Sequence, residues 1–181
     1  MSGYGQRQHR RSTRRSWGWH PLQPEWAESV VASSDLGGRL VVDVGAGNGA
    51  LTEPLVRRGA RVIAVELNRD RAAALRDRFA GDAVTVVRAD IAELRWPRKP
   101  FQVVASPPYN LTTQLVRRLL SLPALHSADL VLQRAAAKRL VREPVGRHAG
   151  RYTFELGMSI PRKAFNPPPK VDSVVLRIRR R

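Results

Sequence analysis

The residues of this chain best suited to chemistry begin with a glycine run and three acids in its first half. Asp43-Val44-Gly45-Ala46-Gly47-Asn48-Gly49 follows the apolar run Leu40 to Val44 and leads into Leu51, Leu55 and Val56, which recur at helical spacing. Glycines at such a strand-to-helix turn let the backbone approach a ligand closely, at the carboxyl edge where α/β sheets bind ligands. Glu66, with Leu67 beside it, closes the next apolar run. A carboxylate there can accept hydrogen bonds from both ribose hydroxyls of an adenosine-containing cofactor. Asp90-Ile91 follows the third run, where the acid is placed to hold an adenine amino group. Alone, the glycines serve equally well as a plain tight turn; the two following acids favour the cofactor. A hydride-transfer enzyme needs G-x-G-x-x-G, whereas this chain has G-x-G-x-G with Ala50 next. No Lys-Ser or Lys-Thr follows the glycines, which disfavours a phosphate loop.

A second constellation lies further on. Ser106-Pro107-Pro108-Tyr109 directly follows the apolar run Phe101 to Ala105. It is similar to the Pro-Pro-Tyr signature of methyltransferases that act on exocyclic amino groups, and the glycine spacing resembles that of S-adenosylmethionine enzymes. An adenine N6 lone pair is delocalised into the ring, so the nitrogen is a poor nucleophile. Acceptors aimed at its two N–H bonds, from Ser106 and the Pro107 carbonyl, favour a pyramidal nitrogen. The remaining work is alignment with the methyl donor, and no strong general base is needed. Tyr109 is expected to stack on a base drawn out of its helix. An ordinary proline turn with a surface tyrosine is the plainer alternative. Phe165, in Phe165-Asn166-Pro167-Pro168-Pro169-Lys170, is either part of a stiff linker or a ring presented to the other face of the base.

The elements that must hold these residues follow from periodicity. Trp26 to Val31 predicts a short helix with Pro24 near its first turn, ended by Gly37 and Gly38. Strands are expected at Leu40 to Val44, Arg61 to Glu66, Val84 to Val87, Phe101 to Ala105 and Leu130 to Leu132. A helix carries Ala72, Leu75 and Phe79 on one face. Asn110 is expected to cap another, with Leu111, Leu115 and Leu119 on its buried side. The Ala-rich stretch after Gln133 is helical. Tyr152 to Ile160 and Val174 to Ile178 alternate with period two, as strands do. The fold class is therefore α/β, a Rossmann-like, mainly parallel seven-stranded sheet with an antiparallel last strand.

At 181 residues the chain fits one domain. Lys plus Arg number 32 against 15 Asp plus Glu, a net charge of +17 that predicts a polyanionic partner, nucleic acid above all. There is no cysteine, which removes thiol metal sites and thiol nucleophiles, and the four histidines lack close ligand spacing, so no metal is expected. No apolar run approaches membrane-spanning length, and the chain reads as cytoplasmic, without a membrane partner. Residues 1–16 read as a basic flexible arm whose Arg7, Arg10, Arg11, Arg14 and Arg15 grip RNA, an Arg-rich, acid-free transit peptide being the alternative; Arg147 and Arg151, in the basic loop Pro144 to Arg151, and the Arg177 to Arg181 tail are expected to grip RNA as well.

Together these segments resemble the Erm and KsgA group of ribosomal RNA adenine N6-methyltransferases, and most closely the Erm type, which acts on 23S rRNA. The matching stretches are Trp17 to Leu22, Asp43 to Gly49, Glu66, Ala89-Asp90-Ile91, Ser106 to Asn110, Leu130 to Arg134 with Lys138-Arg139-Leu140, and Phe165 to Ser173. The resemblance implies S-adenosyl-L-methionine as cofactor. Trp19, His20, Leu22, Asp43, Gly45, Ala46, Gly47, Asn48, Glu66, Leu67, Asp90, Ile91 and Ser106 would line its site. Ser106, Pro107 and Tyr109 would hold the target adenine, with Phe165 assisting. It also implies a large-subunit rRNA partner and resistance to macrolide-type antibiotics. A monomer is expected, residues 17–181 forming the catalytic domain without the family's usual helical C-terminal domain. Trp19-His20 stands where the family has Gln-Asn or Gln-His, and Ser106 where Asn is usual. Cytosine-N4 or DNA-adenine methylation, and a cofactor-free RNA-binding role, are the competing readings.

Overall fold

The computed structural model describes residues 20–181. Trp19 and the five arm arginines lie outside the described residues. The elements run α1 (Pro24–Ala32), β1 (Leu40–Val44), α2 (Thr52–Arg57), β2 (Arg61–Val65), α3 (Arg69–Arg78), β3 (Val84–Val87), β4 (Phe101–Ala105), α4 (Thr112–Leu120), β5 (Leu125–Gln133), α5 (Arg134–Arg142), β6 (Tyr152–Ile160) and β7 (Ser173–Arg180). One seven-stranded sheet has the order β3-β2-β1-β4-β5-β7-β6. Strands β1 to β5 pair in parallel, and β7 runs antiparallel to both β5 and β6. The strand order reverses between β1 and β4. In open α/β sheets the ligand crevice forms there, beyond the carboxyl ends of the strands.

The apolar runs are continuous because both faces of the central strands are covered. Val42, Val103, Leu130 and Leu176 face one core with Leu115 and Leu119 of α4 and Leu140 of α5. Val41, Val104, Val131 and Val175 face the other, with Val30 and Val31 of α1 and Leu55 of α2. Each such side chain, withdrawn fully from water, contributes about 1.5–3 kcal/mol. Among the described residues, no helix is long and apolar enough to cross a membrane.

Several elements differ from expectation, each for a local reason. Helix α1 starts at Pro24, whose ring suits the first helical turn, and stops at Ala32. Gly37 and Gly38, at φ +51° and +65°, instead build a separate turn before β1. Asn110 does not cap α4: it lies inside the 3₁₀ turn Tyr109–Leu111, and Leu111 holds the cap position without a side-chain bond. Strand β5 spans Leu125–Gln133 rather than Leu130 to Leu132, because buried Ser127 and Asp129 interrupt the apolar run. Arg179 supplies the Asp129 counter-charge across the β5–β7 pair, at 2.7 Å. The alternation of β6 breaks between Leu156 and Ser159, where the register shifts.

Candidate active site

The glycine loop leaves β1 at the point of strand reversal. Gly45 and Gly47 adopt φ of +75° and +60°, which residues with a Cβ enter at a cost. The Gly45 and Ala46 amides both donate to the Val65 carbonyl, at 2.8 and 3.0 Å, tying the loop to the end of β2. A Cβ on Gly45 would stand 3.3 Å from Cδ of Pro108 and 3.8 Å from Cα of Pro107. The glycine loop thus abuts the Ser-Pro-Pro-Tyr corner, sixty residues on in the chain.

Asp43 is buried, and its Oδ2 accepts a 2.7 Å bond from the Thr52 hydroxyl. Burial pushes its carboxyl up to about 7, and the neighbouring Glu66 charge adds to the rise while Thr52 opposes it. Asp43 therefore braces the end of β1 against the first turn of α2, which fixes the loop from beneath. Glu66 is 4% exposed, just past β2. Its Oε2 accepts from the Gly47 amide at 2.9 Å, and its Oε1 from the Asn68 amide at 2.8 Å and Arg71 Nη2 at 3.1 Å. A carboxylate offers about four lone-pair positions, so one remains for a ribose hydroxyl, and the Arg71 side chain can yield another.

The remaining donor set fits an adenosine. Leu67 stays 60% exposed beside Glu66, an apolar surface of the kind a purine covers. Asp90 is exposed beyond β3, with Oδ1 accepting from the Ala92 amide at 2.9 Å. Its second oxygen has no partner among the described residues and suits an amino group. Ile91 is half-buried beside it. No group of three potential metal ligands occurs among the described residues.

At the corner Pro107 is buried, and Ser106, Pro108 and Tyr109 are half-buried. The Tyr109 hydroxyl lies 3.2 Å from that of Ser173, the first residue of β7. Burial raises the Tyr109 phenol above its ordinary value, partly offset by that bond, so the ring stays neutral. His20 stacks on Tyr109, ring centres 6.2 Å apart and planes 22° from parallel. Nδ1 of His20 donates to the Pro167 carbonyl at 2.8 Å. The N-terminal segment is held there by a short antiparallel ladder: Asn166 donates to Pro21, Gln23 donates to Ala164, and Leu22 faces Phe165.

That ladder corrects two expectations. Phe165 is 2% exposed and packs in the core with Leu22 and the α1 valines, so it offers no open ring to a base. Leu22, at 5%, is likewise a packing residue that anchors its segment rather than a surface for the cofactor. Residues directly opposite in an antiparallel pair point to the same face, here the one packed with the α1 valines. Arg147 and Arg151 are exposed but precede β6, at the end of the sheet opposite the corner. Three residues that sequence reasoning passed over matter here: Thr52, Ser173 and Arg71. Ser173 sits in the Pro-Pro-Pro-Lys-Val-Asp-Ser stretch, but its partner is remote in sequence, and nothing local marks Thr52 or Arg71.

The sequence matches the family described as Ribosomal RNA adenine dimethylase over residues 23–181. This chain belongs to that family. An rRNA adenine N-6-methyltransferase of Corynebacterium diphtheriae is 37% identical over 147 residues, 77% of this chain and 57% of that protein. A Ribosomal RNA small subunit methyltransferase A of Thermosynechococcus vestitus is 36% identical over 183 residues, 92% of this chain and 69% of that one. The crystal structure of the 23S rRNA methyltransferase ErmE superposes with a TM-score of 0.80 at 29% identity, covering 89% of this chain and 70% of that one. Against the first two curated relatives the chain spans 57% and 58% of their length. The seven-stranded sheet with its antiparallel seventh strand is a Rossmann-like methyltransferase fold. A glycopeptide N-methyltransferase solved with S-adenosyl-L-methionine shares this fold at a TM-score of 0.62.

Proposed function

We propose that this dimethylase-family chain transfers a methyl group from S-adenosylmethionine to N6 of an adenine in ribosomal RNA. The observation carrying the reading is the contact between the glycine loop and the Pro107-Pro108 corner, 3.3 Å at the Gly45 Cβ position. Donor site and acceptor site therefore share one wall. When bound, the cofactor supplies an electrophilic methyl on sulfur. Glu66 and Asp90 would hold its ribose and adenine ends, and Leu67 would cover the purine. Ser106 Oγ and the Pro107 carbonyl accept from the two N–H bonds of the target amine, leaving its lone pair aimed along the transfer axis. Tyr109 is backed by His20 and tethered by Ser173, and it offers its remaining face to the extruded base. Such stacking is worth about 1–3 kcal/mol per base. Asp43, whose carboxyl burial raises to about 7, is buried and bonded to Thr52, so the proton released from the methylated amine passes to water rather than to Asp43.

The target is an adenine of large-subunit rRNA, and its methylation confers resistance to macrolide-type antibiotics. The Corynebacterium relative and the ErmE likeness support this reading. The small-subunit methyltransferases among the relatives favour the other subunit. The chain acts in the cytoplasm as a monomer, with RNA gripped by the arginine arm and by Arg147 and Arg151. Incubating the protein with isotopically labelled donor and each purified rRNA, then digesting to nucleosides, tests both levels. N6-methyladenosine from 23S rRNA is the expected result. Label on cytosine, or none, overturns the activity; label confined to 16S rRNA overturns only the target.

A further inference from the structure

The end of the sheet opposite the corner gathers cations from three stretches of chain. Arg117 and Arg118 close α4, Arg147 and Arg151 lie in the loop before β6, and Arg180 and Arg181 lie at the close of β7. The structure brings them together. A Cβ on Gly146 would stand 3.8–3.9 Å from Arg117, which sets the loop against α4. The Arg181 amide donates to the Arg151 carbonyl at 3.0 Å, and Arg180 reaches the Pro123 carbonyl in the turn after α4. All six side chains are exposed, and none stands in an ion pair among the described residues. Nearby Arg179 differs, because Asp129 neutralises it. Glu28, Glu53 and Glu66 have their arginine partners elsewhere in the fold.

Beside these cations a cleft of about 530 Å³ opens between α5, the loop and the start of β6. Val141, Pro144 and Phe154 give it apolar walls, and Glu155 and Arg181 give it one acceptor and one donor. Sites of this size take a nucleoside, and a glutamate can accept from a base amino group. Strand β5 separates this end from the corner: eight residue steps at about 3.3 Å make roughly 26 Å. One nucleotide cannot touch both.

We propose that this cleft and its six arginines form a second RNA site, which takes an unpaired nucleoside in the cleft and the adjoining phosphates on the guanidiniums. It rests on the reading of the chain as an enzyme of ribosomal RNA. Two variants of the full chain test it separately. Arg117→Gln with Arg147→Gln and Arg151→Gln removes charge. Gly150→Trp fills the cleft, since a Cβ there meets nothing within 4 Å. Binding of purified 23S and 16S rRNA is measured by anisotropy across a salt series, with S-adenosylmethionine titrations and melting curves confirming the fold. The triple variant is expected to bind rRNA at least tenfold more weakly. Its log K against log [salt] slope should be shallower by about 2–3, near 0.7–0.9 per phosphate lost. Gly150→Trp is expected to weaken binding several-fold with the slope unchanged. Wild-type affinity and slope in a folded triple variant overturn the site. Loss by the triple variant with no effect of Gly150→Trp overturns the nucleoside cleft. Lost RNA binding in a chain that never methylates upholds this site and sinks the enzymatic reading instead.

Discussion

At the residue scale the corner makes the sharpest demands. Tyr109 is held at its hydroxyl by Ser173 and on one ring face by His20, so its position is set before any base arrives. Tyr109→Ala is expected to abolish methylation with cofactor affinity kept, as read by calorimetry beside a turnover assay. Tyr109→Phe retains the ring and should keep most of the rate; equal loss in both variants would show that the hydroxyl, not stacking, is what matters. Ser106→Ala should lower kcat at least tenfold with rRNA affinity near wild type, as the role proposed for its hydroxyl on the target amine requires. The opposite split, with binding lost and kcat kept, would move Ser106 from activation to capture.

Asp43 carries the pH dependence at the same scale. Its native pKa of about 7 lies above the ordinary 3.8, so the folded state holds a proton that the unfolded chain releases. The resulting stability is fully present below about pH 4 and is lost as pH rises through about 7. Asp43→Asn keeps an acceptor for Thr52 and removes the charge. Its melting temperature relative to wild type should climb steadily over that window, and parallel pH profiles would contradict the buried-carboxyl account.

At the scale of elements the glycine loop is the joint between β1, α2 and α3. Gly49 has φ +87°, and a Cβ there would meet the Phe79 ring at 2.8 Å. Gly81, at φ +92°, faces open space. Gly81→Ala should therefore cost only the left-handed backbone strain, about 1–2 kcal/mol. Gly49→Ala adds a clash and should cost more, by chemical denaturation, while also weakening cofactor binding. Equal costs would mean that α3 shifts freely away from the loop. Strand β7 has a comparable double role. Its position between β5 and β6 brings Ser173 beneath Tyr109, and its other end delivers Arg180 and Arg181 to the far side of the sheet.

For the whole molecule, charge governs. A net +17 over 181 residues predicts steep salt dependence of RNA binding, whichever surface is used. Deleting residues before Ser16, with their five arginines, should weaken rRNA binding and flatten its salt slope while S-adenosylmethionine affinity is unchanged; intact RNA binding would remove the arm from the recognition surface.

The strand cores, the glycine turn, Glu66, Asp90 and the Ser-Pro-Pro-Tyr corner were legible in the chain itself, because each depends on neighbours within a few residues. Apolar runs mark strands buried on both faces, glycines mark turns with positive φ, and prolines stiffen a corner. Partners remote in sequence could not be read that way. Thr52 under Asp43, Ser173 against Tyr109 and Arg71 on Glu66 are set by how strands and helices lie beside one another. Phe165 looked available because a proline-rich stretch suggests an exposed linker. Pairing with Leu22, more than a hundred residues earlier, turned its ring into the core. Composition established the surplus of positive charge, and only the packing of α4, the loop before β6 and the end of β7 decided where unpaired arginines would collect.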